Sequence, residues 1–154
     1  CIEQARKEQQ LQGKGQATEK EKMTLKGMRF LIADDNDLNA EILEELLKME
    51  GADCDRAVNG KEAVEMFARA EEGRYNIILM DIKMPVMNGY DATKEIRRLK
   101  KKEAAKIPIF AMTANAFAED IRTCMEAGMD AHIAKPVDLD LLEENIRIYM
   151  QAKA

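Results

Sequence analysis

The chain has 154 residues, 34% of them charged, with a formal net charge of −5, many methionines and no tryptophan. This length favours one domain with a full core, the acidic balance argues against a nucleic-acid binder, and no apolar stretch approaches the ~20 residues that cross a bilayer. We expect no signal peptide, and the three cysteines are odd in number without metal-ligand spacing, which indicates reduced thiols in a cytosolic protein.

Residues 1–27 do not look like a core-forming segment. They hold six basic and four acidic residues, several Gln and few large apolar groups, and Gly13 and Gly15 interrupt any helix. We expect a linker or lead-in that is partly disordered, followed by a folded domain over residues 28–154. Because Cys1 stands in place of an initiating Met, we also expect a fragment of a longer protein, or else a processed or engineered chain.

Five apolar runs of strand length follow, and they are predicted over residues 28–33, 54–58, 77–81, 108–113 and 131–134. The third is the clearest, because residues 77–80 are all apolar and lead directly into Asp81. An apolar run without alternation suits a strand that is buried on both faces, as in a parallel sheet. An unpaired carboxylate inside such a strand is very costly, so we expect Asp81 where the strand ends.

Each strand is followed by a segment with helical periodicity. The helix limits are predicted from capping and turn residues, which are Asp37 and Gly51, Asn59-Gly60 and Gly73, Gly89, Gly128, and Asp138. The fourth helix is predicted near residues 119–127. The apolar faces of the first and last helices are predicted to hold Leu38, Ile42, Leu46, Leu47, Met49, Leu141, Leu142, Ile146 and Tyr149. The basic run over residues 97–102 is interpreted as a solvated helix end and a polar loop.

Alternation of five strands with five helices predicts an α/β fold with a doubly wound parallel sheet and helices on both faces. Right-handed crossovers restrict the possible topologies. One common solution is the flavodoxin-like strand order 2-1-3-4-5, in which ligands bind at the carboxyl ends of the first and third strands. These two strands are then neighbours.

The predicted strand ends carry an unusual set of polar groups. The first strand ends in Asp34-Asp35, the third in Asp81, the fourth in Thr113 and the fifth in Lys135, whereas the second ends without a comparable group. Three carboxylates that meet in one cleft repel each other, so a cation is expected there. Oxygen ligands without His or Cys favour Mg²⁺, which keeps open positions for a phosphoryl oxygen.

Acid, metal, lysine and hydroxyl together predict a site for phosphoryl transfer. Asp81 is the natural nucleophile, because aspartyl phosphates are a known covalent intermediate. The metal and Lys135 would spread the charge of the transferring group, and Thr113 would offer a hydroxyl to it. Each of these residues alone is more often a cap or a turn residue; it is their joint position at strand ends that is specific.

With these residues in hand, the sequence resembles the receiver domains of two-component signalling, the response-regulator family. The matching features are Asp34-Asp35, Asp81 in Leu-Met-Asp-Ile-Lys-Met-Pro, Thr113 in Ala-Met-Thr-Ala-Asn-Ala, and Lys135-Pro136. The resemblance covers about residues 28–150. The sequence around these positions is similar to that of receivers attached to hybrid sensor histidine kinases.

The resemblance implies a role for each matched position. Asp81 would accept a phosphoryl group from a phosphohistidine of a partner. Asp35 would bind Mg²⁺ directly, Asp34 would bind it through water, and the backbone carbonyl of Lys83 would complete the protein ligands, with Mn²⁺ as a possible substitute. Thr113 and Lys135 would bond the phosphoryl group, and the Lys135–Pro136 peptide is expected to be cis.

The resemblance also implies a switch and its partners. His132 stands where the family carries an aromatic residue, and it would act with Thr113 to change the face of the fourth helix, fifth strand and fifth helix. A histidine kinase or a histidine phosphotransfer domain would be the phosphodonor, and this face could form a homodimer. We expect neither nucleic acid nor direct membrane contact, and a cytoplasmic location, including the cytoplasmic part of a membrane-bound kinase.

Several alternatives remain open at this point. The chain could be a stand-alone single-domain response regulator or a receiver from a hybrid histidine kinase. No independent enzyme is expected beyond self-phosphorylation from small donors and slow self-dephosphorylation. A Mg²⁺-dependent phosphohydrolase with an aspartate nucleophile is disfavoured, because Lys83 occupies the place of its second acid. A flavin or nucleotide binder is disfavoured, because no Gly-rich loop follows the first strand.

Overall fold

The computed structural model describes residues 25–113, 118–135 and 137–153. Within these ranges the chain alternates five strands with five helices. In chain order these are β1 (Arg29–Ala33), α1 (Asp37–Met49), β2 (Asp53–Ala57), α2 (Gly60–Arg69), β3 (Ile77–Asp81), α3 (Gly89–Arg98), β4 (Ile109–Thr113), α4 (Ala118–Ala127), β5 (Ala131–Ala134) and α5 (Leu139–Lys153).

All five strands are parallel and lie in the order β2-β1-β3-β4-β5. The predicted doubly wound sheet is therefore confirmed, and β1 and β3 are hydrogen-bonded neighbours. Parallel pairing brings the carboxyl ends of the strands to one edge of the sheet. Asp34-Asp35 follow β1, Asp81 ends β3, Thr113 ends β4 and Lys135 follows β5, so one edge collects these five predicted residues.

Two apolar layers cover the sheet, one on each face. Leu31 and Ile78 pack with α2 and α3 on one face, and Phe30 and Leu79 pack with α1 and α5 on the other. Every residue of β3 and β4 is buried. This explains why β3 is apolar up to Asp81 and β4 up to Thr113, whereas the edge strand β2 is half exposed.

Asparagine side chains cap the first three helices at the same edge of the sheet. Each accepts a hydrogen bond from the backbone N–H three residues later, at 2.9 Å for Asn36, 2.8 Å for Asn59 and 2.9 Å for Asn88. The prediction of Asp37 as the first cap is wrong, because Asp37 is already helical and Asn36 has the extended backbone of a cap. The predicted cap at Asp138 is correct, since its carboxylate accepts the Asp140 N–H at 2.8 Å.

The predicted apolar face of α1 is only partly correct, because Leu47 is buried and Leu46 half-buried as predicted, whereas the other predicted residues are exposed. Ala40, Leu43 and Leu47 are the buried residues of α1, and they follow the i, i+3, i+7 spacing of a helix stripe. Leu38 and Ile42, in contrast, are 65% and 50% exposed. Met49 and, on α5, Leu141 are exposed as well. The chain has more apolar residues on α1 than its contact with the sheet can cover.

Smaller differences concern strand and helix ends. β1 and β2 each lie within one residue of the predicted limits. The second helix ends at Arg69 with Ala70 as its cap, so Gly73 lies in the turn that follows and does not close the helix. Gly51 and Gly128 follow their helices with positive φ, as predicted.

The basic run at 97–102 is only partly solvated. The Arg97 guanidinium donates to the backbone oxygens of Gly128, Ala104 and Ile107 and forms an ion pair with Asp130 at 2.9 Å. Lys101 donates to the carbonyls of Phe67 in α2 and of Ala70, which caps this helix, and lies 4.7 Å from the centre of the Phe67 ring. Two of these cations therefore hold helices and loops together.

The described part of the predicted lead-in is short. Residues 1–24 lie outside the described residues, as do Ala114–Phe117 and Pro136, so the expected cis peptide before Pro136 does too. Leu25 is fully buried with the α1 side of the core, and the Gly27 N–H donates to the Gly51 carbonyl at 3.0 Å. No helix among the described residues is long and apolar enough to cross a bilayer.

Candidate functional site

Three carboxylates converge at the carboxyl edge of β1 and β3. Asp34 and Asp81 are buried and Asp35 is exposed, and one oxygen from each carboxylate lies within 4.8 Å of the others. The sequence places them there because residues 30–33 of β1 and 77–80 of β3 are apolar and buried, and the two strands lie side by side in the sheet. The predicted meeting of these acids is what the structure shows.

Lys135 supplies the positive charge of this cluster. Its Nζ lies 3.1 Å from Asp81 Oδ2 and 3.2 Å from Asp34 Oδ2. Burial alone would lower the pKa of the Lys135 ammonium, but bonding to Asp81 and the charges of Asp81 and Asp34 outweigh it and raise this pKa. The ammonium therefore stays protonated between the two buried acids.

Burial raises the pKa of the Asp81 carboxyl above its ordinary value, even though Lys135 lowers it. The charges of Asp34 and Asp35 raise it further. Three carboxylates and one ammonium leave two negative charges in the ionised cluster (−3 + 1 = −2). A divalent cation would neutralise this excess and favour the ionised form of Asp81.

The donor set fits magnesium. All three side chains offer carboxylate oxygens, which are the ligands of hard cations, and His and Cys are absent from the cluster. Two oxygens on one Mg²⁺ are at most about 4.2 Å apart, twice the metal–oxygen distance. The spread of the cluster matches that scale, most closely if one acid binds through a water molecule.

Backbone contacts hold the loop after β3 in place. The Gly89 N–H donates to the Ile82 carbonyl at 2.8 Å, and the Gly60 N–H donates to the Met87 carbonyl at 3.0 Å. A Cβ on Gly89 would come 2.3 Å from the Asp81 carbonyl oxygen, so only glycine allows this approach. Val86 has φ +68°, a strained conformation for a β-branched residue, and its neighbours close a tight turn over it. The loop that carries Lys83 is thus fastened at both ends.

An open cleft lies over the carboxylates. Its lining includes the predicted residues Asp35, Asp81, Lys83, Thr113 and Lys135. It also includes other polar and apolar side chains, namely Asn36, Asn39, Tyr90, Met84 and Met112. Asn36 and Asn39 belong to the first turn of α1, and Tyr90 to that of α3, which parallel strands bring to the same edge.

His132 does not line this cleft. It is half buried on β5, where it pairs with Ala111, two residues before Thr113 on β4. Alternate residues of a strand share a face, so His132 and Thr113 lie on the same side of the sheet. Thr113 itself is buried, and its carbonyl accepts the Lys135 N–H at 2.9 Å.

The protein-family model of the response regulator receiver domain matches residues 30–147 of the chain. The chain belongs to this family. The acid cluster and Lys135 lie inside the matched range, at the sheet edge where the sequence predicted them.

Two curated relatives of this receiver domain are histidine kinases. The chain is 36% identical to the peroxide stress-activated histidine kinase mak1 of Schizosaccharomyces pombe over 117 residues, which are 75% of this chain and 7% of that protein. It is 35% identical to the sensor histidine kinase RcsC of Salmonella typhimurium over 124 residues, which are 80% of this chain and 12% of that protein. The chain spans only a small part of these relatives.

Solved receiver domains share the fold. The receiver domain of the sensor histidine kinase PA1611 from Pseudomonas aeruginosa, with a magnesium ion coordinated in its active site cleft, has 36% identity and a TM-score of 0.68, covering 77% of this chain and 93% of that one. A chain in the complex of Saccharomyces cerevisiae Ypd1, a histidine phosphotransfer protein, with the receiver domain of Ssk1 has 31% identity and a TM-score of 0.69, covering 81% and 89%.

The main residue of this receiver's site that sequence reasoning missed is Arg56 on β2. Its Nη2 and Nε donate to the backbone carbonyl of Asp34 at 2.8 and 3.1 Å, and its Nη1 forms an ion pair with Asp37 at 2.8 Å. The second strand was predicted to end without a comparable group. No sequence signal marks Arg56, because its contact depends on how β1 and β2 pair.

Proposed function

We propose that this receiver domain accepts a phosphoryl group on Asp81 from a phosphohistidine, within the phosphorelay of a hybrid histidine kinase. The observation that carries the proposal is the buried Asp81 carboxylate, held 3.1 Å from Lys135 and beside the Asp34-Asp35 pair. A structural aspartate needs neither a buried cation nor two further acids around it. This arrangement suits a carboxylate that gains and loses a charged group.

The chemistry is a transfer between two nucleophiles. An oxygen of Asp81 attacks the phosphorus, the P–N bond to the donor imidazole breaks, and the electron pair of that bond stays on the leaving nitrogen. Asp81 must be ionised to attack. Lys135 lies where it can donate to the oxygens of the incoming group, which replaces its present bond to Asp81 Oδ2.

Magnesium, when bound, would offset the charge shared by Asp81 and the phosphoryl oxygens. We assign Asp35 and Asp81 as direct ligands, Asp34 as a ligand through water, and the Lys83 carbonyl as the remaining protein ligand, with Mn²⁺ able to replace Mg²⁺. The PA1611 receiver domain, crystallised with magnesium in its cleft, supports this assignment by likeness. The carboxylate-only cluster of this chain supports it independently.

The added charge would act as a switch. A phosphoryl group brings about two negative charges and three acceptor oxygens. Thr113, at the end of β4, and Lys135, after β5, would bond these oxygens, and His132 on β5 would follow through the same face of the sheet. The change would be read on the face formed by α4, β5 and α5, by a partner or by a second copy of the chain.

The partner of Asp81 would be a histidine kinase or a histidine phosphotransfer domain. The Ypd1 complex with a receiver domain supports the second class, and the histidine kinases mak1 and RcsC support the first. In this proposal the domain works in the cytoplasm and residues 1–27 connect it to other parts of a larger protein. The enzymatic activity of the domain alone is limited to slow gain and loss of its own phosphoryl group.

Labelling with a small phosphodonor tests the proposal. The parent protein should react with acetyl phosphate and Mg²⁺ to give one acid-stable, alkali-labile acyl phosphate, detected as a mass increase on the peptide that contains Asp81. Asp81→Asn should remain unlabelled, and EDTA should stop labelling of the parent. If Asp81→Asn were labelled as fast as the parent, the assignment of the nucleophile would be wrong.

A further inference from the structure

Arg56 links the edge strand β2 to the acid loop after β1. It pairs with Ile32 in the parallel register, so its side chain lies on the α1 face of the sheet and reaches over the end of β1. Two of its nitrogens donate to one acceptor, the Asp34 carbonyl oxygen, and the third binds Asp37 in the first turn of α1. The side chain is 19% exposed.

The Asp34 carbonyl belongs to the peptide that joins Asp34 to Asp35. A guanidinium that holds this oxygen with a two-nitrogen fork fixes the plane of that peptide. The Asp34 N–H donates to the Ala57 carbonyl at 3.1 Å, so both polar groups of the Asp34 backbone are bound to β2. The direction in which the Asp35 side chain leaves the backbone follows from this plane.

The two acids differ in what holds their carboxylates. Asp34 is fixed by the Asn36 N–H at 2.9 Å and by Lys135 at 3.2 Å. In the described part of the chain, no hydrogen bond or ion pair holds the Asp35 carboxylate, which is exposed at the rim of the cleft. Its position therefore depends on its backbone, and the backbone depends on Arg56.

We infer that Arg56 is a positioning residue for metal binding: by clamping the Asp34–Asp35 peptide it orders the Asp35 carboxylate before the cation arrives. The inference rests on the proposed function only in taking Mg²⁺ as the cation. Arg56 touches neither the cation nor the phosphoryl group. Outer groups that orient ligands in this way are worth about 10- to 100-fold in metal affinity.

Charge alone predicts the opposite effect. Arg56 is a cation next to an acidic cluster, so its removal would strengthen the attraction of that cluster for Mg²⁺. Asp37 already balances part of this charge at 2.8 Å. The sign of the change in Mg²⁺ affinity therefore separates a positioning role from an electrostatic one. A merely structural role would leave the Mg²⁺ affinity unchanged.

The experiment measures the Mg²⁺ dissociation constant by calorimetric titration of the full chain. Arg56→Met should raise this constant at least about tenfold, and Arg56→Lys, which keeps the charge but lacks the fork, should also raise it. Arg98→Met is the matched control, because it removes the same charge from a side chain that is 74% exposed. Its constant should equal that of the parent.

A second readout needs no metal. In the metal-free protein, the backbone amide order parameter of Asp35 should fall in Arg56→Met and stay unchanged in Arg98→Met. With acetyl phosphate, the Mg²⁺ concentration for half-maximal labelling should rise in Arg56→Met and stay unchanged in Arg98→Met.

A dissociation constant for Arg56→Met that is unchanged or lower overturns the inference. If Arg56→Met does not fold, Arg56→Lys decides alone, and parent-like affinity in that variant overturns it. The metal titration and the order parameter do not involve phosphoryl transfer, so they give an answer even if Asp81 proves not to be the acceptor. Conversely, labelling of Asp81→Asn would defeat the proposed function and leave the Arg56 measurement intact.

Discussion

At the scale of single residues, the surroundings of Asp81 oppose its ionisation. It must be ionised to act as the proposed nucleophile, yet burial raises its pKa and the charges of Asp34 and Asp35 add to that effect. Lys135 offsets only part of this rise in pKa, because it is shared between Asp81 and Asp34. The charge that the proposed reaction needs on Asp81 therefore lowers the stability of the metal-free fold.

The first prediction concerns the stability of Asp81→Asn without metal. Because the native pKa of Asp81 lies above the unfolded value of 3.8, the native state keeps this proton to a higher pH than the unfolded chain. The free energy of unfolding should then fall as pH rises through this interval. Asp81→Asn should lose this dependence and be about 1 kcal/mol more stable at pH 7, as measured by urea unfolding in EDTA.

Magnesium provides the control for this prediction. At 100 times its dissociation constant, a cation that binds only the native state stabilises the parent by about 2.7 kcal/mol. Asp81→Asn lacks one ligand and should gain less. An Asp81→Asn variant that is less stable than the parent in EDTA would contradict the view that the Asp81 charge is a burden on the fold.

At the scale of elements, α1 has an apolar surface that the fold does not use. Leu38 and Ile42 are one helical turn apart and exposed, and Ile42 lines a groove with Leu46 and Val137 that reaches Asp34 and Lys135. An apolar surface that borders the proposed phosphoacceptor cleft is well placed to bind the proposed phosphodonor domain. The sequence predicted these side chains as core, because periodicity alone gives the spacing of an apolar face but not which face meets the sheet.

The second prediction assigns this surface to the phosphodonor. Ile42→Gln introduces a residue with good helix propensity and removes the apolar contact. It should slow transfer from a phosphohistidine partner by about tenfold, which corresponds to a free energy of about 1.4 kcal/mol. Labelling by acetyl phosphate should not change, because the cleft is intact. Transfer rates from a phosphorylated histidine phosphotransfer domain, measured on both proteins, check this.

Met49→Gln is the matched control for Ile42→Gln. Met49 is 80% exposed on the same helix but at its opposite end, away from the cleft. Its transfer rate should equal that of the parent. Equal slowing in both variants would show that the effect comes from α1 in general and not from a docking surface beside Asp81.

At the scale of the whole molecule, the sheet separates a reactive edge from a structural edge. At the structural edge, Arg97 binds the carbonyl of Gly128 at the end of α4, two carbonyls of the loop before β4, and Asp130 before β5. The Asp130 carboxylate also accepts the Ile109 N–H at 2.9 Å. One side chain thus joins α3, α4, β4 and β5 away from the cleft.

The third prediction is that Arg97→Met lowers the free energy of unfolding by about 3 kcal/mol, because it leaves a partly buried carboxylate and several carbonyls without their donor. The adjacent Arg98→Met should change it by no more than about 0.5 kcal/mol. Urea unfolding of both variants checks this. Equal effects would mean that the Arg97 contacts contribute no more than an exposed charge does.

What the sequence predicts and what it misses differ in physical origin. Asp34, Asp81, Thr113 and Lys135 could be placed because apolar runs and parallel pairing are properties of local pattern and general topology. Arg56 and Arg97 could not, because a long side chain can bind any carbonyl within reach, and only the tertiary structure says which one is near. The interpretation of the run at 97–102 as solvated failed for Arg97 and Lys101 for this reason.

The two ends of the described chain lie together on the structural edge. Lys26 and Met28, before β1, line the same groove as Tyr149 and Met150 near the end of α5. A label attached near Lys26 or Met150 would therefore sit at the opposite edge of the sheet from Asp81. The cleft would stay accessible to a visiting protein while the molecule is held at these positions.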